Sequence, residues 1–243
     1  MVGPGTPNES VPVPITENLL IAALPLRDRR ALHKVCEPVE LKMAEVLVEH
    51  GQRTTHVHFP VDGFISLVTQ VDEHAALEVG MVGREGMVGV HVVLGVTRAP
   101  LRALVQGPGA AWRVTATALT RQLTDSVALR TRLYRYVHVL MMQQSEAAAC
   151  LRFHLIGQRL ARWLLMSQDR AHADHFHATH ESLAYMLGVR RVGITMAALG
   201  LQRRGLITYR RGELTVLDRA GLELAACVCY ADDRRAYAEL LSR

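Results

Sequence analysis

Residues 179–218 decide the fold of this chain, and their sequence is THESLAYMLGVRRVGITMAALGLQRRGLITYRRGELTVLD. Thr179 has the side-chain oxygen that caps a first helix, Gly188 begins a turn, and a second helix follows. The apolar residues of the two helices are spaced so that both bury one shared face: Leu183, Leu187, Val189, Ile194, Ala198 and Leu201. Residues 207–218 then predict a strand, an Arg-Gly turn and a strand. The stretch therefore predicts a helix-turn-helix followed by a wing.

Positive charge is concentrated on the same stretch. The formal net charge of the 243 residues is +5, and residues 151–243 carry the whole surplus, with 14 basic and 9 acidic side chains. Between Glu181 and Glu213 there is no acidic residue. Six arginines lie there: Arg190, Arg191, Arg203, Arg204, Arg210 and Arg211. Because guanidinium groups on an acid-free surface release counterions from phosphates, the pattern predicts DNA binding. A solvated face of a helical domain is the alternative.

The composition is that of an ordinary globular protein, with 49% hydrophobic, 5% aromatic and 21% charged residues, which excludes fibrous and disordered classes. No apolar run is long enough to span a bilayer, and the N-terminus lacks the basic patch and apolar segment typical of a signal peptide, so we expect a cytoplasmic protein. Residues 1–14, with four prolines and two glycines, predict a flexible leader. The four cysteines are too few and too scattered for a disulfide framework, and we expect them reduced.

Residues 15–118 predict a β-roll sensor domain. Its first segment, residues 15–35, has helical spacing interrupted by Pro25, which favours two short helices. From Val39 to Val114, short β-rich runs are bounded by Gly, Pro or Asp, and such regularly spaced strands predict a barrel or roll.

A long helix is predicted next, because neither glycine nor proline occurs between Gly109 and Gly157. We expect residues 119–150 to form a dimerisation helix and residues 151–243 to form the DNA-binding domain. Spacings of four and three residues define a predicted dimer seam: Leu133, Val137, Leu140, Gln144, Ala147 and Leu151. A helix packed on its own domain is the alternative; the polar Gln144 favours a partner, because a polar seam residue sets register.

The order of β-roll, long helix and winged helix resembles the Crp/Fnr family of bacterial transcription regulators, from about residue 15 onwards. The segments LAYMLGV, RRVGITMAAL and LQRRGLI resemble the helix, recognition helix and wing entry of that family, and EVGMVGREGMVG resembles its glycine-rich roll segment. The resemblance implies an α+β fold with an N-terminal β-roll (double-stranded β-helix, cupin-like) and a C-terminal winged helix-turn-helix. It implies a regulator rather than an enzyme. Its partners would be double-stranded DNA, a second copy of the chain and, if it activates, RNA polymerase.

The resemblance also implies roles for particular residues. Thr179 would contact a phosphate, and Arg191 would be the first base-reading residue of a recognition helix near residues 190–204. Readers in the family have Glu and Arg where this chain has Val192 and Met196, so we expect a different operator. The candidate DNA contacts are Thr179, Arg190, Arg191, Gly193, Thr195, Met196, Arg210 and Arg211.

Members of the family that bind cyclic nucleotides use a Gly-Glu pair and an Arg-Ser/Thr-Ala run. This chain has Val90 at the glutamate position, and valine accepts no hydrogen bond from a ribose, which argues against cyclic AMP in the usual pose. The effector is therefore unknown, and the glycines could equally shape roll turns. The candidate effector-pocket residues are Gly86, Gly89, Val90, Arg98, Arg102 and Ala103.

No metal is predicted. An iron–sulfur cluster needs four thiolates, and Cys36 is the only N-terminal cysteine. Cys227 and Cys229 could bind a soft metal or respond to oxidation, but neighbours on a helix point in different directions, which favours buried apolar cysteines. The histidines of residues 172–180 are expected in a solvated loop: His172, His175, His177 and His180.

Two other functions remain open. One is a metal-dependent hydrolase that uses these histidines. The other is a nucleotide-binding module whose winged helix contacts only proteins.

Overall fold

A computed structural model of the chain describes residues 17–70 and 76–241. The leader predicted at residues 1–14 lies outside the described residues. Within the described ranges, a β-rich N-terminal part is followed by two consecutive central helices and a mixed C-terminal part. The predicted α+β fold class is confirmed.

Two short helices precede the sheets: α1 (Leu19–Ala22) and α2 (Leu26–His33). Pro25 separates them, as predicted, and is the N-cap residue of α2 with a φ of −53°, a value that suits the start of a helix. Asn18 caps α1, and its side-chain amide donates to the carbonyl oxygens of Pro60 at 2.8 Å and Gly86 at 2.9 Å. Asn18 therefore fastens α1 to the roll.

In the described part of the roll there are seven strands: β1 (Glu37–Leu41), β2 (Val46–Val48), β3 (His56–Pro60), β4 (Phe64–Gln70), β5 (Ala76–Val82), β6 (Arg102–Gly107) and β7 (Gly109–Thr115). They pair antiparallel in two sheets, of orders β1-β7-β3 and β2-β6-β4-β5. One face of each sheet is apolar, because side chains alternate along a strand. The core between the sheets contains Leu41, Ile65, Val82, Val105 and Ala111. The predicted β-roll is confirmed.

The central helical region is two helices rather than one: α3 (Ala116–Asp125) and α4 (Val127–Phe153). Ser126 interrupts it, because its hydroxyl accepts the N–H of Leu129 at 3.0 Å and caps α4. Thr115 caps α3 in the same way and is also the last residue of β7. The first residues of the predicted helix therefore belong to a strand. The single long helix predicted from the absence of glycine and proline is therefore wrong at its start. No helix among the described residues is long and apolar enough to cross a membrane.

The C-terminal part consists of α5 (Ile156–Ala171), β8 (His175–His177), α6 (His180–Leu187), α7 (Arg191–Arg203), β9 (Ile207–Arg210), β10 (Glu213–Val216), α8 (Arg219–Ala225) and α9 (Cys229–Leu241). The three strands form a sheet of order β8-β10-β9. The solvated loop expected for the histidines of residues 172–180 is thus partly wrong: β8 pairs with β10, with Phe176 opposite Leu214. Phe176 packs beside Trp163 at the edge of the core, which explains why a segment rich in histidine is extended.

The roll and the C-terminal part are packed together. α6 lies against β5, and Met186 of α6 shares a small core with Val68 and Ala76 of the roll. Arg170 at the end of α5 and Glu85 of the roll form an ion pair of 2.8 Å, with side chains only 8% and 12% exposed. The helix-turn-helix is therefore held directly by the roll.

Candidate DNA-binding surface

The turn between α6 and α7 depends on Gly188. Its φ is +61°, in the left-handed region that favours glycine, and it ends α6. A Cβ atom at this position would lie 2.8 Å from Cδ1 of Leu77 on the roll. Gly188 is therefore required both by the turn and by the approach of the roll, and the predicted helix-turn-helix is confirmed.

One face of α7 is buried and the other is exposed. Ile194, Ala198 and Leu201 lie in the core that α7 shares with α5 and α6. The opposite face combines cationic and apolar side chains: Arg191, Val192, Met196, Leu199 and Arg203. Val192 is 65% and Met196 62% exposed, so both side chains are accessible to a partner. This face has the chemistry to meet phosphates, guanine edges and thymine methyl groups.

All six arginines between Glu181 and Glu213 are exposed, and none forms an ion pair with a described residue. Arg190 is the N-cap residue of α7 and Arg191 is its first helical residue. Free guanidinium groups at the start of this helix are available to bases and phosphates.

The predicted wing is confirmed as a hairpin of β9 and β10. Arg211 and Gly212 at its tip have φ values of +54° and +88°, as a two-residue hairpin turn of this type requires. Arg210 and Arg211 are thereby presented on a protruding edge beside α7.

Thr179 caps α6, because its hydroxyl accepts the N–H of Ser182 at 3.0 Å. The residue is also exposed. Its place at the N-terminus of α6, where a helix favours anions, is compatible with the predicted phosphate contact.

His180 is a positioning residue that the sequence analysis did not single out for DNA binding. Its ring stacks on Tyr209 of β9 with a centroid distance of 4.6 Å, and its Nδ1 lies 3.1 Å from Oγ1 of Thr195 on α7. Burial and the nearby Arg191 lower the pKa of His180, so that the neutral ring is favoured. His180 therefore ties α6, α7 and the wing together, a contact between distant positions that no local pattern reveals.

Two of the predicted DNA contacts, Thr195 and Gly193, also have packing roles inside the domain. The Thr195 hydroxyl is already engaged by His180 and donates to the carbonyl oxygen of Arg191 at 3.1 Å. A Cβ at Gly193 would lie 2.9 Å from Cδ1 of Ile156, so this glycine permits close packing of α7 on α5. Thr195 and Gly193 position the recognition helix. All eight residues stay predicted DNA contacts.

The predicted dimer seam faces the chain itself. Leu133 and Leu140 are buried in the core that α4 shares with the roll, and Nε2 of Gln144 donates to the carbonyl oxygen of Val79 at 2.7 Å. Gln144 thus has its polar partner within the chain. Leu133, Leu140 and Gln144 of the predicted interface are therefore packed within the chain, whereas Val137 and Ala147 stay predicted interface residues.

A second stripe on α4, one residue further along and so rotated by about 100°, is exposed. We call it the outer stripe: Val127, Thr131, Tyr134, His138, Met141, Ser145, Ala148 and Arg152. Met141 is 64% exposed, and Phe153 beside the stripe is 77% exposed. Its apolar members, Val127, Tyr134, Met141 and Ala148, recur every seven residues with polar residues between them. An exposed apolar row at heptad spacing is typical of a helix that pairs with another helix.

The candidate effector-pocket residues lie in separate surroundings. A Cβ at Gly86 would overlap the hydroxyl of Tyr136, a fully buried residue of α4, so α4 fills the space beside this glycine. Ala103 is buried in the core between the sheets.

The two arginines of that set are engaged at the surface. Arg98 donates to the carbonyl oxygen of Gly51, and Arg102 pairs with Glu49. Val90 begins a 3₁₀ turn, Val90–Leu94, that follows Gly89. The effector pocket of Gly86, Gly89, Val90, Arg98, Arg102 and Ala103 stays a prediction.

A pocket of about 70 Å³ lies elsewhere, between β5, α4 and α5. Glu78, Gln143, Arg159 and Arg162 are among its polar lining residues. Burial raises the pKa of Glu78 to about 7, although a hydrogen bond from Ser66 and the nearby arginines act in the opposite direction.

The histidines of residues 172–180 do not converge. His177 pairs with Glu213 on the wing sheet at 2.8 Å, whereas His180 faces α7. Among the described residues, the one group of three or more side chains that could hold a metal ion is Cys150, His154, Cys227 and Cys229. The expectation that Cys227 and Cys229 diverge on a helix is wrong, because Cys227 precedes α9 and only Cys229 belongs to it.

Comparisons with known proteins agree with this geometry. Residues 158–225 match the Crp-like helix-turn-helix domain family. Among solved structures, FixK2 from Bradyrhizobium japonicum has a TM-score of 0.67 at 14% identity, covering 79% of this chain and 98% of that one. A CRP-family transcriptional regulator from Thermus thermophilus has a TM-score of 0.65 at 18% identity, covering 77% of this chain and 96% of that one.

The c-di-GMP-responsive global regulator CLP of Xanthomonas campestris has a TM-score of 0.63 at 14% identity, covering 79% of this chain and 99% of that one. The chain matches no curated protein. The family domain contains α6, the turn at Gly188, α7 and the wing, and the solved structures share the arrangement of roll, helix and C-terminal domain. Residues 158–225 are therefore a Crp-like helix-turn-helix domain, and the chain is a DNA-binding transcription regulator with the Crp/Fnr fold.

Proposed function

We propose that the chain binds an operator sequence as a homodimer, with α7 in the major groove and the wing arginines on the flanking backbone. The observation that carries this proposal is the outer face of α7, where unpaired arginines and exposed apolar side chains lie together on a helix braced by α5 and α6. Arg191 reads a guanine, and Val192 and Met196 contact thymine methyl groups.

The homodimer is supported by the outer stripe of α4. Two α4 helices paired through this stripe bury Tyr134 and Met141, which are exposed in the single chain. The pairing brings two C-terminal domains onto one duplex, so the operator has two half-sites about one helical turn apart.

In this arrangement residues 15–118 form the sensor domain, residues 119–150 belong to the dimerisation region, and residues 151–243 bind DNA. If the regulator activates transcription, RNA polymerase is its further partner. Since DNA is the target, its place of action is the bacterial cytoplasm.

Selection from a random duplex pool, followed by fluorescence anisotropy, tests the proposal. We expect enrichment of a two-fold symmetric sequence, with an affinity that falls steeply with salt, by about 0.9 logarithmic units per tenfold rise for each phosphate neutralised. A full-length protein that enriches no sequence, or whose DNA affinity is indifferent to salt, contradicts it.

A further inference from the structure

Three cysteines and one histidine meet where α4 reaches the C-terminal domain. Cys150 lies in the last turn of α4, and His154 is the residue at its C-terminal cap. Cys227 and Cys229 lie at the junction of α8 and α9. The four ligand atoms all lie within 4.8 Å of one another. The Sγ atoms of Cys150 and Cys227 are 3.6 Å apart, and so are Sγ of Cys229 and Nδ1 of His154.

These separations fit a four-coordinate metal site. In a tetrahedral zinc site the Zn–S bonds are about 2.3 Å long, which places two sulfur ligands about 3.8 Å apart. The two separations of 3.6 Å are close to this value, and even the widest pair must close by only about 1 Å. The ligand set of three thiolates and one imidazole is one of the common structural zinc sets.

Hydrophobic burial alone does not explain the cluster. All three thiols are at most 5% exposed, and a buried cysteine behaves as a small apolar residue that has no need of other thiols. Three of the four cysteines of the chain nevertheless converge, although Cys150 and Cys227 are 77 residues apart. Cys36, the fourth, lies in the roll part of the chain and outside the cluster.

A positive charge supports the cluster from one side. Nη1 of Arg162 lies 3.9 Å from Sγ of Cys150, and its Nε donates to Oδ2 of Asp233 at 3.1 Å. Zn²⁺ with three thiolates has a net charge of −1, which the guanidinium of Arg162 offsets in this buried place. Asp233 in turn orients Arg162, as partners around a metal site commonly do for the ligands.

We propose that Cys150, His154, Cys227 and Cys229 bind one Zn²⁺ ion in a closed, four-coordinate site. Binding converts three thiols into thiolates and releases their protons to solvent, while the imidazole binds through Nδ1 and keeps its proton on Nε2. No redox step is involved. The ion joins the end of α4 to the start of α9, so it fixes the C-terminal domain on the central helix.

Cobalt substitution of the full-length, fully reduced protein tests the site. We expect one Co²⁺ per chain with the charge-transfer and d–d bands of tetrahedral thiolate coordination, and displacement of Co²⁺ by one equivalent of Zn²⁺. The variant Cys227→Ser should lose these bands. Its affinity for Zn²⁺ should fall by more than about 100-fold, because loss of a residue that only hydrogen-bonds a metal ligand already lowers metal affinity by about 10–100-fold. Cys36→Ser is the matched control and should behave as the unsubstituted protein.

Alkylation gives a second measurement that does not depend on a variant folding. Zn²⁺ should protect three thiols of the unsubstituted protein, while Cys36 reacts at the same rate with and without metal. A reduced protein with four titratable thiols that shows no thiolate–cobalt bands overturns the proposal. The proposal is also overturned if Cys227→Ser binds as much metal as Cys36→Ser. It is overturned as well if the protein binds no metal and only forms a disulfide between Cys150 and Cys227.

One consequence rests on the proposed function. Because the site joins α4 to the DNA-binding domain, removal of Zn²⁺ by a chelator should weaken operator binding by tenfold or more, with Cys36→Ser responding like the unsubstituted protein. The two proposals fail separately: absence of the cobalt bands removes the metal site alone, whereas a zinc-loaded protein that enriches no operator removes the DNA-binding proposal alone.

Discussion

Arg191 and the wing arginines differ in what they can touch. Arg191 lies on the outer face of α7, whereas Arg210 and Arg211 lie on the protruding wing. Replacing Arg191 by Ala should cost about 1–3 kcal/mol at one operator position and relax the base preference there. Replacing Arg210 or Arg211 should weaken binding to all DNA sequences alike. It should also reduce by about 1 the slope of the logarithm of the binding constant against the logarithm of the salt concentration.

Fluorescence anisotropy against a panel of single-base operator variants measures both effects. Arg27→Ala, which removes an exposed arginine from α2, is the control and should leave binding unchanged. If Arg191→Ala weakens every sequence equally, Arg191 is a phosphate contact instead.

Glu78 makes stability depend on pH. Burial raises the pKa of its carboxyl from 4.5 to about 7, so the folded state prefers the protonated form. The contribution of protonated Glu78 to the free energy of unfolding is fully present below pH 4.5 and is lost as the pH rises through about 7. Glu78→Gln should therefore raise the free energy of unfolding at about pH 8 and change it little at about pH 5 or below.

Urea unfolding of the variant and the unsubstituted protein at both pH values gives the difference directly. Glu40→Gln, at an exposed position on β1, is the matched control. An effect of Glu78→Gln that is the same at both pH values would show that the carboxyl is ionised throughout.

At the scale of single elements, α4 has two stripes with heptad spacing that the sequence pattern alone does not distinguish. Leu133 and Leu140 recur with the same spacings as Tyr134 and Met141. Only the packing of the roll shows that the first pair is internal and the second is free to meet a partner helix. A heptad pattern predicts that a face is buried, but not whether the same chain or another copy buries it.

Met141→Glu tests the outer stripe. A carboxylate at the centre of a helix pair has no partner there, so the dimer dissociation constant should rise by tenfold or more, which corresponds to about 1.4 kcal/mol. Sedimentation equilibrium measures the change. Met43→Glu places the same charge at an exposed methionine of the roll and should leave the dimer intact. A dimer of unchanged affinity in Met141→Glu would exclude this stripe as the interface.

Local signals were sufficient for the helix-turn-helix. Thr179 and Gly188 mark the first helix by capping chemistry, and Arg211 with Gly212 marks the wing turn. The cap at Ser126 was missed because serine breaks a helix less visibly than glycine or proline. The packing roles of Thr195 and Gly193 were missed because spacing along α7 does not reveal which neighbours the other elements supply.

For the whole molecule, the ion pair of Arg170 and Glu85 joins the roll to the DNA-binding domain. Both side chains are nearly buried, so removal of one leaves the other charge without compensation. Glu85→Gln should lower the free energy of unfolding by about 3–5 kcal/mol. The exposed pair of Arg113 and Glu37, at 2.7 Å with side chains 36% and 58% exposed, is the matched control. Glu37→Gln should cost at most about 1 kcal/mol.

Equilibrium urea unfolding measures both variants. A loss in Glu85→Gln no larger than that in Glu37→Gln would mean that solvent reaches the interface between the roll and the DNA-binding domain. This contact and the cysteine cluster both lay beyond the sequence analysis, because each joins segments more than 70 residues apart. Periodicity and capping describe neighbours along the chain, and these partners are neighbours only in the folded molecule.

The length of α4 has a geometric consequence for operator choice. Its 27 residues make a rod of about 40 Å, at about 1.5 Å per residue. A change of about 10° in the tilt of such a rod moves its far end by about 7 Å. That distance corresponds to about two base-pair steps at 3.4 Å each. In the proposed dimer, the angle at which two α4 helices cross therefore sets the distance between the two recognition helices, and with it the number of base pairs between the half-sites.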